Sequence, residues 1–407
     1  MLRQLAGVAC SLTLFACSGM DGEDASVAHE SLELLRGPAS HHRSSPALAS
    51  IEETTSRLCD LAADRLGDPA RNGFRDGDPD DGGWDWLVAP TSTEHSSEAS
   101  PENLYGAVAL APWAALRLGL SPARQGETLY NAFLGAALNP NVDSPPDFVF
   151  LTLLSDVFPV GPAKLARQRY DAKVAAAGGA AALAESIRAA HEAAASDGLF
   201  AYDLAWLALG AAALDVKFPR ADYRADFRAY VQAVVDDVGS TTPLFDITDA
   251  HEPFYTQGLS WSLLVLSWAP GAHTAFDDVR SRLLATQLPS GAFPYNLDFP
   301  AGHLQATAHA LTALALVRHH RVAPHEVSEN AANWLISQQA ENGGFVYTAD
   351  QEYPLLDAEI ALGLYLSETR SGERGLQPRG PAHAFFALTS EPSQQGAPPL
   401  SAPLAAP

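Results

Sequence analysis

Cysteine is nearly absent from this chain, with three in 407 residues. None lies beyond Cys59, so a disulfide framework is excluded for the bulk of the sequence. Basic residues are also scarce, 25 against 48 acidic ones, for a net charge of −23. Phosphate recognition needs clustered Lys and Arg, so a nucleic-acid partner is excluded. Attachment to anionic lipid through surface charge is disfavoured for the same reason. No apolar run reaches the roughly 20 residues that a spanning helix needs. Period-two alternation is missing, so no run of strands is expected. There is no nucleotide loop, no Ser-His-Asp motif and no H-E-x-x-H helix. Hydrophobic residues, in contrast, make up 47% of the chain, enough for a large core.

The N-terminus reads as a processed segment. Arg3 precedes a short apolar run over 5–14, which ends in Leu14-Phe15-Ala16-Cys17. That ending resembles the lipobox of bacterial lipoproteins. The resemblance implies cleavage before Cys17 and lipidation of its thiol. The expected address is then the bacterial cell envelope, anchored to the membrane by lipid, with Ser18 leaning toward the outer membrane. The rival is an ordinary signal peptide cut nearby. Residues 1–16 are thus the signal and 17–47 a disordered polar tether. Residues 48–389 form the folded domain, and 390–407 a Pro/Ala-rich disordered tail. Cys59 lies in a helical pattern with Ile51, Leu58, Leu61 and Leu66, as a buried inert thiol.

A phrase recurs inside the domain. Gln287-x-x-x-Gly291-x-Phe293-x-Tyr295 returns 52 positions later as Gln339-x-x-x-Gly343-x-Phe345-x-Tyr347. Its core also appears at Gly82-Gly83-Trp84 and Gly198-Leu199-Phe200. Looser Pro/Phe loops stand near 140–148 and 243–245. Helices between these phrases are of two kinds. Those over 222–238, 276–287 and 325–339 carry charge on one face. Those over 104–118, 202–214, 258–268, 302–317 and 355–366 are apolar nearly all round, which means burial on every side. Half-buried outer helices shielding fully buried inner ones give an all-α fold, an (α/α)6 toroid of helical hairpins.

The Q-x3-G-x-aromatic phrase resembles the repeat of squalene–hopene cyclases, related terpenoid cyclases and protein prenyltransferase β subunits. The resemblance implies a structural role for Gln287, Gly291 and Phe293, and for Gln339, Gly343 and Phe345. Glycine there permits a positive φ at a helix exit, and the amide satisfies helix-end groups. The cyclase D-x-D-D letters occur at Asp78-Pro79-Asp80-Asp81, in a polar loop where a carboxyl stays solvated. The prenyltransferase zinc site would need a Cys that is absent. The same loop partly resembles a calcium loop through Asp76, Asp78 and Asp80. It reads either as a calcium site or as a solvated acidic turn.

A toroid offers a central funnel at the end where its inner helices start. The polar and aromatic residues there are the candidate site. Asp203, His303, Asp357 and Glu359 are the candidate catalytic groups, as general acid and base. Tyr105, Trp206, Tyr255 and Trp261 are the candidate ligand-binding aromatics. The alternative is that they are caps and rim residues; Asp357 near a helix start suits the macrodipole. His303 and His309, six apart, do not share a helix face, so they are no metal pair, and His309 reads as a core histidine. Three functions stay open: a lipoprotein binding a small-molecule or glycan ligand without catalysis, a carbohydrate-active hydrolase or lyase, and a divergent terpenoid cyclase-like enzyme.

Overall fold

The computed structural model describes residues 45–67, 84–85, 99–100, 148–149, 152, 162–194, 200–238, 250–251, 254–267, 271–317, 325–348 and 351–372. Cys17, Tyr105 and the loop of Asp76, Asp78 and Asp80 lie outside the described residues, as do the helix expected over 104–118 and the tail. The elements are α1 (Pro46–Gly67), β1 (Trp84–Asp85), β2 (Ala99–Ser100), α2 (Pro162–Ala177), α3 (Ala180–Ala194), α4 (Phe200–Lys217), α5 (Ala221–Val238), α6 (Tyr255–Leu266), α7 (His273–Thr286), α8 (Leu304–Val317), α9 (His325–Ser337), β3 (Val346–Thr348), β4 (Gln351–Glu352) and α10 (Pro354–Gly372).

Hydrophobic patterning decides the layers. Every residue of α6 is buried, and so is every residue of α8 from Ala306 to Val317. In α7 only Phe276, Val279, Leu283 and Thr286 are buried, one stripe at helical spacing. The inner helices pack in chain order, α4 on α6, α6 on α8, α8 on α10. Each is backed by an outer helix: α5 behind α4, α7 behind α6, α9 behind α8. Behind α10 stands α1, the first helix of the described chain. The last inner helix is thus shielded by the first outer one, which closes the ring. The architecture is an α/α toroid.

The repeated phrase forms the joints. The Gln287 amide donates to the Gly291 carbonyl and to the Val327 carbonyl of α9, each over 2.9 Å. The Gln339 amide donates to the Gly343 carbonyl over 2.8 Å and to the Ser50 carbonyl of α1 over 3.0 Å. Gly291 and Gly343 have φ of 92° and 89°. A Cβ on Gly291 would run into the Asn330 carbonyl of α9, and one on Gly343 would lie 2.6 Å from the Glu53 carbonyl of α1. The two joints are equivalent, and α1 occupies in the second the place of α9 in the first. The glutamines differ from the expected helix caps: each amide ties its loop to the next outer helix.

Two further differences concern local structure. Helix α1 opens at Pro46, inside the segment expected to be tether. Strand pairing also occurs, β1 with β2 and β3 with β4, both antiparallel. These strands are too short for alternation to register in the sequence.

Candidate functional site

Four side chains stand at one height in the ring. Trp206, Trp261, His309 and Glu359 each lie five or six residues into α4, α6, α8 and α10. All four are buried. The Trp206 and Trp261 rings are 4.4 Å apart, and Trp261 meets the His309 ring edge-on at 5.3 Å. His309 Nε2 stands 3.1 Å from Glu359 Oε1. That approach is bent, so proximity rather than a straight hydrogen bond joins the two. The Trp261 indole N–H donates to His309 Nδ1 over 3.1 Å. Indole is a donor only, so Nδ1 is the acceptor and the imidazole proton sits on Nε2, the nitrogen facing Glu359. The other carboxylate oxygen, Oε2, accepts from the Gln305 amide over 3.1 Å. Gln305 and His309 are four apart on α8 and share a face.

Tyr202 covers this floor. Its ring stacks on His309 at 5.9 Å and meets Trp206 and Trp261 edge-on at 6.0 and 6.2 Å. Although Tyr202 keeps some accessible surface, enclosure by protein raises its phenol well above the usual range. The negative charge of Glu359 acts in the same direction. Tyr202 is therefore a phenol that keeps its proton beside a carboxylate, able to donate a hydrogen bond. Asp203, half-buried in the first turn of α4, adds to the same effect.

An aromatic arc runs along the helix starts. Its rings follow one another as Phe254–Tyr295 at 5.2 Å, Tyr295–His303 at 5.0 Å, His303–Tyr347 at 5.9 Å and Tyr347–Tyr353 at 5.7 Å. His303 Nδ1 accepts the Ala306 N–H over 3.3 Å, which makes His303 a cap of α8. Burial, and then the neighbouring His309, lowers its pKa to about 4. Burial, and then Tyr347, pushes Tyr295 up to about 12. Tyr347 is raised by burial and then by Glu359, so the charge on the floor is felt in the arc. Phe254 has φ 64°, a conformation that a non-glycine residue holds only where its surroundings impose it.

The candidates from the sequence therefore divide. Glu359, Trp206 and Trp261 meet on the floor, with Asp203 beside Tyr202 and His303 in the arc. Tyr255 is buried at the start of α6. Asp357, the fourth candidate catalytic group, stands apart from Glu359. Two residues along a helix is a turn of about 200°, so the carboxyls point away from each other. Asp357 Oδ1 accepts the Phe345 N–H over 2.9 Å, as Thr307 Oγ1 accepts the Phe293 N–H over 2.9 Å in the preceding joint. It is a joint residue. His309 is buried and hydrogen-bonded, as expected of a core histidine, and it also belongs to the floor. Its four-residue spacing from Gln305 was the legible signal, rather than its spacing from His303. Tyr347 went unnoticed as a site residue because it belongs to a short strand, and Tyr353 although it stands directly before α10.

No protein-family model matches the chain, and no curated protein sequence matches it. Solved structures do. An unsaturated glucuronyl hydrolase specific for heparin matches with a TM-score of 0.51 and 11% identity, over 79% of this chain and 98% of that one. A possible member of the GH105 family from Klebsiella pneumoniae matches with a TM-score of 0.49 and 13% identity, over 82% and 95%. A family 88 glycosyl hydrolase from Bacteroides vulgatus matches with a TM-score of 0.48 and 11% identity, over 78% and 99%. At such identity the likeness is one of fold, the α/α toroid.

Proposed function

We propose that this protein is a carbohydrate-active enzyme that hydrolyses a glycosidic bond in the central funnel of the toroid. The observation that carries the reading is the Glu359 carboxylate, held by Gln305 and beside His309, within a floor and arc of aromatic rings. Aromatic faces stack on sugar rings, and a positioned carboxylate is the group glycoside hydrolysis requires. Glu359 would draw a proton from the attacking water or attack the anomeric carbon itself. Asp203 would give its proton to the departing glycosidic oxygen, and the Tyr202 phenol would donate a hydrogen bond beside it. The sum adds water across the bond, hydroxyl to the anomeric carbon and hydrogen to the leaving oxygen. Asp203 is the second carboxylate of the site. The fold likeness to a glucuronyl hydrolase agrees by analogy only.

Lyase chemistry is the second reading. It needs the negative charge of a uronate to be offset, and none of the described floor and arc residues is Lys or Arg. A terpenoid cyclase would need an apolar pocket around one acid, whereas this floor carries Glu, His and Gln. The test is Glu359→Gln, assayed for reducing-end release from a panel of soluble polysaccharides. The expected loss is about 10²–10⁴-fold. Retained turnover overturns the reading. Release accompanied by the ultraviolet absorbance of an unsaturated uronate transfers it to a lyase.

The sequence expectations of a lipid anchor and of calcium stand as proposals too. Cys17, after Leu14-Phe15-Ala16, would carry the lipid that holds the protein to the bacterial membrane. Metabolic labelling with palmitate should be lost in Cys17→Ala; unchanged labelling overturns it. Calcium at Asp76, Asp78 and Asp80 should register as heat on calorimetric titration, and a flat titration refutes it.

A further inference from the structure

A buried ion pair joins the first helix to the arc. The Arg57 guanidinium of α1 forks onto the Glu352 carboxylate of β4, Nε to Oε1 over 3.0 Å and Nη2 to Oε2 over 2.9 Å. Both side chains are buried. The Asn342 amide donates to Glu352 Oε2 over 3.1 Å. A Cβ on Gly344 would run into the same carboxylate, so the backbone leaves room for it. Asp357 lies next to Glu352.

This cluster is more than a joint needs. In the equivalent joint at Gln287, Gly291 and Phe293, the hydroxyl of Thr307 receives the phenylalanine N–H without any carboxylate. At the ring closure the same position holds a carboxyl, and a charged pair is added. Desolvation offsets much of the attraction in a buried ion pair, so net stability is a weak reason for one; fixing a geometry is a better one. The geometry at stake is the β3–β4 hairpin. Glu352 pairs with Val346 across that hairpin. The arc tyrosines adjoin this pair in the chain, Tyr353 directly after Glu352 and Tyr347 directly after Val346.

We propose that Arg57, acting through Glu352, is a positioning residue that sets Tyr347 and Tyr353 in the arc, so that the helix closing the ring also shapes the ligand site. The placement of the tyrosines stands on the geometry alone; its effect on a glycan rests on the hydrolase reading. Arg57 touches no substrate in this scheme. It holds Glu352, Glu352 holds the hairpin, and the hairpin presents the two rings.

The test uses the whole mature chain and needs no ligand. Arg57→Met alone would bury an unpaired carboxylate and could unfold the protein, so the informative variant is Arg57→Met combined with Glu352→Gln. The double change removes both charges and keeps an amide oxygen for Asn342. Tyrosine nitration by tetranitromethane is then mapped by mass spectrometry. In the parent, Tyr353 should be protected. In the double variant it should become at least several-fold more reactive, while Tyr170 and Tyr230, buried against α2 and α5, keep their protection. Unchanged protection of Tyr353 overturns the proposal, whatever the enzyme assay shows. Loss of protection at Tyr170 as well means the pair holds the fold and not the hairpin, which also overturns it. A second arm applies to any polysaccharide that the Glu359→Gln experiment identifies: KM should rise several-fold with kcat retained. If the parent turns over no polysaccharide of the panel, the hydrolase reading fails and the nitration result stands by itself.

Discussion

Trp261 and His309 are locked together by a single hydrogen bond, 3.1 Å from the indole nitrogen to Nδ1. The bond decides which imidazole nitrogen carries the proton, and so what His309 can offer Glu359. Nitrogen NMR at neutral pH should find His309 as the Nε2–H tautomer. In Trp261→Phe the donor is gone, and the resonances should move toward a mixture of tautomers. Turnover, once measured, should fall about tenfold, the equivalent of roughly 1.4 kcal/mol. Unmoved resonances would show that the indole does not set the tautomer.

The ring joints predict a stability effect. Gly343 combines a φ of 89° with a backbone approach to Glu53 that leaves no room for Cβ. Gly343→Val should destabilise the protein by about 1–3 kcal/mol or more. Gly291→Val should do the same, because Asn330 stands where Glu53 does. Gly271 also has a positive φ, but nothing lies within 4 Å of its Cβ position, so Gly271→Ala should be milder. Urea unfolding of the three variants checks the order.

Asp357 gives a pH dependence with a defined sign. Burial, and then the charge and hydrogen bonding of Glu352, raise its carboxyl well above the ordinary range. The folded state therefore holds a proton that the unfolded chain releases near pH 3.9. This group's contribution is fully present below that pH and is lost as pH rises through the folded value. The slope is about 1.4 kcal/mol per pH unit at most. Asp357→Asn imitates the neutral acid and can still accept the Phe345 N–H. Thermal unfolding should find the variant gaining on the parent as pH rises from 4 toward 8. A constant difference would mean that Asp357 is ionised in the fold.

His303 titrates in the opposite sense. Its pKa is lowered to about 4 by burial and by His309. The unfolded chain takes up its proton near pH 6.5, so the contribution of neutral His303 is present above 6.5 and is lost as pH falls through about 4. Proton NMR of the imidazole should place its midpoint near 4. His303→Asn keeps a cap for α8 and should remove this part of the acid sensitivity. A midpoint near 6.5 would mean that the arc is open to water.

Much of this was written in the chain locally. The all-round apolarity of α6 and α8 and the single stripe of α7 fixed the inner and outer layers, because burial follows helical periodicity. The phrase at Gln287 and Gln339 marked the joints, because only glycine tolerates that φ with a neighbouring backbone so close. Side-chain partners across the ring were not legible. Trp261, His309 and Glu359 come from three helices, and they meet only because those helices start at one end and stand side by side. Asp357 and Glu359 read alike in sequence as acids at a helix start. The turn of the helix sends one to the joint and the other to the floor beside His309. The partnership of Arg57 with Glu352 spans most of the chain and exists only because the ring closes. Periodicity is a local property that a sequence carries along its length, whereas a site is a convergence of distant positions, and packing alone brings them together.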